Sequence, residues 1–311
     1  MILITGAFGM LGTYLCQQFA EHSPLTLGRR KESDFIYDLS KQVPDFGGRS
    51  FHTVIHAAGT EDPLIAFPLN LEGTRNLVQA LEKNPPRNFV FISSYRVYSR
   101  DAGENVDEDA NTWASDDVGR SKAQAEKFLI EWASRHNITL TLIRPARMFG
   151  NGVGGDTLSL FNDALSGKYI HIRGNDAKVS LVTAYDVARA VRKIYDKGGI
   201  YNAADGSNPT FIGMVEAMTA NAGAKKRMTY LPLRWAEWVW RIFRFIPSIQ
   251  RNLSPDVVEA RMKTLTIDGS RLAREADIKY HDTIAVMEHQ DSGYPYSYLE
   301  NNTSKPIAHE V

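Results

Sequence analysis

The chain has 311 residues, enough for roughly two domains or one domain with an appended lobe. Its 43% hydrophobic, 10% aromatic and 23% charged content excludes a collagen-like, low-complexity or mainly disordered polymer. Lys+Arg and Asp+Glu both number 36, so no global basic field points to nucleic acid, and the single cysteine, Cys16, permits neither an internal disulfide nor a cysteine zinc site.

The opening residues Met1-Ile2-Leu3-Ile4-Thr5-Gly6 lack the charged and long apolar regions of a signal peptide. No run approaches the ~18 uncharged apolar residues that a membrane span needs. The longest candidate, Leu231 to Ile249, is interrupted by Arg234, Glu237, Arg241 and Arg244. A cytoplasmic protein is expected, also because one free cysteine suits a reducing compartment.

In chain order, β-branched and apolar runs predict strands at Ile2–Thr5, Leu25–Leu27, Val54–Ala57, Asn88–Ser93 and Ile138–Ile143. Between them, helical periodicity predicts helices near Leu11–Glu21, Asn70–Lys83 and Ser121–His136. Such alternation implies βαβ units and a parallel sheet covered on both faces. Asn84-Pro85-Pro86 and Arg144-Pro145 punctuate it. After Gly150 the pattern loosens. Asn151 to Gly155 is a glycine-rich loop, read as a hinge or substrate loop, and helices follow near Leu158–Ser166, Ala184–Lys197 and Phe211–Ala222. Residues 1–150 therefore read as one α/β unit, residues 151–290 as a smaller, more loosely patterned lobe, and 291–311 as a polar tail.

The sharpest motif is Gly6-Ala7-Phe8-Gly9-Met10-Leu11-Gly12, directly after a strand and opening a helix. Gly6 permits the tight turn, Gly9 lets the backbone approach a pyrophosphate, and Gly12 permits close helix–strand packing. The helix N-terminus favours phosphate charge. Turn glycines alone are the plain alternative, weakened by the position after an N-terminal strand.

With its surroundings, this loop resembles the extended short-chain dehydrogenase/reductase family, in its epimerase/dehydratase branch. Supporting segments, in order, are His56-Ala57-Ala58-Gly59, Asn70 to Leu77, Phe91-Ile92-Ser93-Ser94 through Tyr98, Arg144-Pro145 with Phe149-Gly150, and Ser180 through Ala188. The resemblance implies a Rossmann-type doubly wound α/β fold, with residues 1–150 as a dinucleotide-binding domain to which part of the later chain returns and residues 151–290 as a smaller C-terminal substrate lobe. It also implies a cofactor site on Gly6, Phe8, Gly9, Met10, Gly12, Arg29, Arg30, Asp38, Leu39, Ala57, Ala58, Gly59, Lys122 and Pro145. An NAD site usually places a carboxylate after the second strand. Here Leu25-Thr26-Leu27 is followed by Gly28-Arg29-Arg30, which suits the 2′-phosphate of NADP. A solvated turn is the competing reading.

The family chemistry uses a Ser or Thr, a Tyr and a Lys four residues later. In Val118-Gly119-Arg120-Ser121-Lys122, the tyrosine position holds valine, 24 residues after Ser94. The literal Tyr37-to-Lys41 spacing lies in the wrong place. Ser94 and Lys122 remain catalytic candidates. Tyr95 is a candidate replacement for the phenol, whereas Tyr98 reads as packing. Proton transfer by Lys122 or water is a further reading, and a redox-inactive NADP-binding regulatory or scaffold protein is the alternative function. The expected substrate is a nucleotide-linked sugar or a related hydroxyl or carbonyl compound, with apolar or lipid-linked compounds and a homodimer left open. Arg147, Arg173 and Lys178 are candidate cations for a diphosphate. Trp235, Trp238, Val239, Ile242 and Ile246 share a helical face, read first as core and otherwise as a lipid, membrane or partner surface. The eight histidines show no metal spacing, so no metal is expected.

Overall fold

The computed structural model describes residues 1–150, 155–220 and 228–288. The hinge loop expected at Asn151 to Gly154, the end of the helix expected at Phe211–Ala222, and the tail 291–311 lie outside those residues, wholly or in part.

The first half runs β1 (Ile2–Thr5), α1 (Met10–Gln18), β2 (Leu25–Gly28), β3 (Phe35–Ile36), β4 (Thr53–His56), α2 (Gly73–Leu81), β5 (Asn88–Ile92), β6 (Gly103–Val106), α3 (Asp117–His136) and β7 (Thr139–Pro145). The second half runs β8 (Arg147–Phe149), α4 (Gly155–Leu165), β9 (Ile170–Ile172), β10 (Leu181–Thr183), α5 (Ala184–Ile194), β11 (Gly199–Ala203), α6 (Phe211–Thr219), β12 (Thr229–Leu231), α7 (Leu233–Phe243), α8 (Pro247–Leu253), α9 (Pro255–Met262), β13 (Leu265–Ile267), α10 (Ser270–Ala276) and α11 (Thr283–Met287).

Seven parallel strands form the main sheet in the order β11-β7-β5-β4-β1-β2-β3. Leu3 of β1 lies opposite Leu25 on one side and Val54 on the other. Alternate residues of the central strands feed opposite layers, as the two-residue strand period requires. Ile4, Ile55, Val90 and Ile92 pack under α1 and α5, while Leu3, Val54, Phe89 and Phe91 pack under α2 and α3. Burial on both faces explains why these strands read as continuous apolar runs. The chain leaves β1 toward β2 and later returns to β4 on its other side. That reversal opens a crevice at the carboxyl ends of β1 and β4, the usual place for a ligand in such sheets.

α5 packs on α1 through the shared core, and β11 extends the sheet beside β7, with Tyr201 opposite Ile143. The remaining elements gather around smaller cores, one with Phe149, Leu160, Phe211 and Met214, another with Ile172, Ala236, Leu253 and Val258.

Three local expectations are corrected. α3 begins at Asp117 rather than Ser121, because Asp116 accepts a bond from the Gly119 amide at 2.9 Å and caps the helix. The helix expected from Asn70 opens earlier, with a π-helical turn Phe67–Glu72. Most consequentially, the aromatic face of α7 is not core: Trp235, Trp238, Ile242 and Ile246 are exposed, and only Ala236 of the helix is buried. Val239 and Trp240 do lean on the small Ile172 cluster, which is too narrow to cover the rest.

Candidate active site

Close packing fixes the glycine loop at the end of β1. Gly6 has φ +68°, and a side-chain carbon there would lie 2.7 Å from the Ala58 amide nitrogen. A Cβ on Gly12 would meet the Gly6 carbonyl oxygen at 2.0 Å. Gly9 caps α1 in extended conformation with no side chain on the cap, which suits an anion approaching the first turn. Met10 opens the helix, and Phe8 is exposed with the Arg30 guanidinium 5.7 Å from its ring centre. Arg29 is exposed at the end of β2. Asp38 accepts from the Ser40 hydroxyl and amide, which holds its carboxyl below the usual range. Leu39 is buried, and its carbonyl accepts from Asn76.

Across the crevice, His56 positions the Ala57-Ala58-Gly59 turn. The Ala58 amide donates to Thr5 Oγ1, which contacts His56 Nδ1 at 2.7 Å; His56 Nε2 contacts Thr74 Oγ1, which donates to the Asn70 carbonyl. Each threonine hydrogen has one destination in this chain, so the proton belongs on Nε2. Burial pushes the imidazole pKa down to about 3, and the ring is neutral. His56 is thus a structural tie rather than an acid.

Lys122 of α3 is buried directly beneath this turn. Its Nζ donates to the Ile92 carbonyl at 2.8 Å and lies 4.7 Å from the Phe91 ring centre. A Cβ on Gly59 would fall 2.8 Å from that Nζ. Burial lowers the ammonium pKa to about 8, with Glu126 and Glu61 opposing the fall. Ser94, two residues beyond Ile92, is half-buried and caps the short turn Tyr95–Val97, its Oγ accepting from the Arg96 amide at 3.2 Å. Arg96 in turn pairs with Asp116 at 3.0 Å, locking this turn to the start of α3. Ser94 and the Lys122 ammonium therefore both lie at the carboxyl end of β5.

Val118 lies one turn before Lys122 and is 1% exposed. Tyr95 is half-buried against the α1-side core. Tyr98 is committed elsewhere, donating to Asn202 Oδ1 at 2.8 Å and accepting from Arg144, whose guanidinium forms a buried pair with Glu126 at 2.7 Å. Pro145 is buried at the end of β7, opposite Ala203. Arg147 donates to Thr157 Oγ1 at 3.1 Å, Lys178 is held by Glu104 at 2.9 Å, and Arg173 is exposed. No group of three or more His, Cys, Asp or Glu among the described residues could hold a metal ion.

Two contributors escape sequence reasoning. Asn70 accepts from the Thr60 amide and donates to Ser121 Oγ, bracing the turn against α3; its place in the Asn70-to-Leu77 segment was the available signal. Glu61 reaches Lys122 and Arg96 electrostatically from an irregular loop, where no periodicity marks it.

A glycine cradle at the sheet's reversal point, with a buried lysine and a serine at its rim, defines a dinucleotide-binding α/β protein of the extended short-chain dehydrogenase type. The chain belongs to the NAD dependent epimerase/dehydratase family, whose profile matches residues 2–204. It is 29% identical over 185 residues to an N-acetyl-alpha-D-glucosaminyl-diphospho-ditrans,octacis-undecaprenol 4-epimerase of Escherichia coli O157:H7, covering 55% of this chain and 56% of that protein. It is 24% identical over 261 residues to a GDP-6-deoxy-D-mannose reductase of Pseudomonas aeruginosa, covering 75% and 84%. The fold matches the UDP-N-acetylglucosamine 4-epimerase of Bacillus cereus with TM-score 0.69 and 19% identity, covering 93% and 94%. The chain thus spans a little over half the length of the first of these relatives and most of the second.

Proposed function

We propose that this chain is an NADP-dependent epimerase/dehydratase-type oxidoreductase acting on a nucleotide-linked sugar or a related hydroxyl compound, with Lys122 handling the proton that a phenol handles elsewhere. The observation that carries this reading is the burial of Lys122 beside the serine-bearing end of β5, with its pKa brought down to about 8. Near neutrality such a lysine exists in both protonation states, which general acid–base work requires.

The residues fit a dinucleotide, since the α1 N-terminus carries no side-chain cap and Gly9 presents no side chain to an approaching phosphate. Gly6, Gly9, Gly12, Phe8 and Met10 would hold the diphosphate. Arg29 and Arg30 would take the 2′-phosphate, Asp38 and Leu39 the adenine side, and Ala57, Ala58, Gly59 and Pro145 the walls. A bound nicotinamide would supply hydride acceptance and return. Ser94 Oγ orients the substrate oxygen, and Lys122 Nζ, when neutral, takes the proton from that oxygen. Val118 and Phe91 exclude water beside it. Arg147 faces the substrate phosphate from the later chain, which forms the substrate lobe.

Titration with NADPH and NADH, followed by absorbance of the nicotinamide with nucleotide sugars, tests both halves. Tight NADPH binding with turnover supports the reading, and NADH binding tenfold tighter removes the role given to Arg29. A second reading rests on Val118, which stands at the sequence position where the family has its tyrosine and cannot exchange a proton: an NADP-binding regulatory or scaffold protein. Tight NADPH binding with no reduction or oxidation of any offered substrate favours it.

A further inference from the structure

The region least explained by catalysis is the exposed apolar surface on α7 and the turn after it. Of the 17 exposed large apolar side chains among the described residues, eight fall within residues 230–246. At about 100° per residue, α7 presents three strips. Ala236, Val239 and Trp240 face the protein. Arg234, Glu237 and Arg241 form a charged strip, with Arg244 in line just beyond the helix. Trp235, Trp238 and Ile242 form a separate apolar strip, 47%, 56% and 43% exposed. At the end of the helix Phe245, 76% exposed, and Ile246 continue that strip.

Monomers rarely leave so dense an apolar patch open without using it. Charge identifies the occupant. Residues 228–246 hold three arginines, Arg234, Arg241 and Arg244, against one acid, Glu237, in a chain whose 36 basic and 36 acidic residues balance overall. A strip of tryptophan and aliphatic side chains, bordered by arginines, matches a helix that lies in the plane of an anionic bilayer surface. No helix among the described residues is long and apolar enough to cross a membrane, and α7 with 11 residues is far too short to do so. We infer that α7 and the Phe245 turn form a docking surface for an anionic lipid membrane. The aromatic strip enters the headgroup boundary, and Arg234, Arg241 and Arg244 meet lipid phosphates. This inference is independent of the catalytic reading, because lipid binding can be measured without turnover.

The test is co-sedimentation of the full chain with phosphatidylcholine vesicles, with and without phosphatidylglycerol. The expected result is binding to the anionic vesicles, weakened by salt, with a blue shift of tryptophan emission. Trp238→Glu combined with Phe245→Glu should lower that binding about tenfold or more, because a charge replaces an inserted ring. Replacing Arg234, Arg241 and Arg244 together by Gln should remove the dependence on phosphatidylglycerol. NADPH affinity and thermal midpoint check that the variants remain folded. Absence of vesicle binding, or binding unchanged by the Trp238 and Phe245 substitutions, overturns the proposal. So does a concentration-dependent dimer in lipid-free buffer that the same substitutions dissociate, which would assign the surface to a second copy of the chain.

Discussion

Replacing Lys122 by Met separates what this residue does for the fold from what it does for the cofactor. Burial takes the ammonium pKa from 10.5 to about 8, which corresponds to a folding cost on the order of 3 kcal/mol while the lysine is charged. The substitution removes that cost, together with the charged hydrogen bond to the Ile92 carbonyl, worth roughly 1.5–3 kcal/mol. The two nearly offset, so the thermal midpoint at pH 7 should shift by no more than about 4 °C, upward if at all. The sign of the pH dependence follows. The unfolded chain keeps this proton up to about pH 10.5 while the native one releases it near 8, so native stability rises with pH between those values. Lys122→Met should abolish that rise. Cofactor affinity should meanwhile fall roughly ten- to a hundredfold, as expected for one lost charge-assisted bond. Isothermal titration with NADPH and thermal melts across pH 7 to 11 read both quantities. Unchanged NADPH affinity would refute the placement of Lys122 at the cofactor.

The remaining predictions concern the cradle, cofactor choice and the missing phenol. Gly12→Ala drives a methyl into the Gly6 carbonyl, 2.0 Å away, and should cost about 2–4 kcal/mol in urea unfolding and abolish dinucleotide binding. Arg29→Ala should weaken NADPH about tenfold, a loss of one partly exposed charged contact, and leave NADH unchanged in parallel titrations. Val118→Tyr places a phenol one turn before Lys122; oxidation or reduction of a nucleotide sugar that the parent leaves untouched would show that the site lacks only this acid.

Legibility in the sequence tracked burial symmetry. β1, β4 and β5 are buried on both faces, so their apolar runs reported them with ends correct to about one residue. The glycine loop was legible because its spacing is imposed by backbone collisions that any sequence with this turn must avoid. The face of α7 was legible as a helix but not as a surface, since periodicity shows which residues share a side and is silent on what covers them. The same limit hid the roles of His56 and Asn70, whose partners lie 51 residues away at Thr5 and Ser121.

The retained residues of α3 do not all testify to catalysis. Gly119 is required because its Cβ would collide with the Arg96 carbonyl at 2.0 Å. Ser121 bonds Asn70 and the Val118 carbonyl, and Glu126 neutralises buried Arg144. Each stabilises the fold whether or not a reaction occurs. Lys122 differs: its buried charge opposes folding, and a methionine of similar length would fill the space beneath Gly59 without that cost. A packing requirement alone therefore accounts for Gly119, Ser121 and Glu126, but not for a cation at position 122. Within the chain that charge is met by the Ile92 carbonyl, the face of Phe91 and the fields of Glu126 and Glu61, and a ligand or a proton at the end of β5 would add to them. The functional reading accordingly rests on the one residue of the helix whose replacement by methionine the fold would tolerate at nearly constant stability.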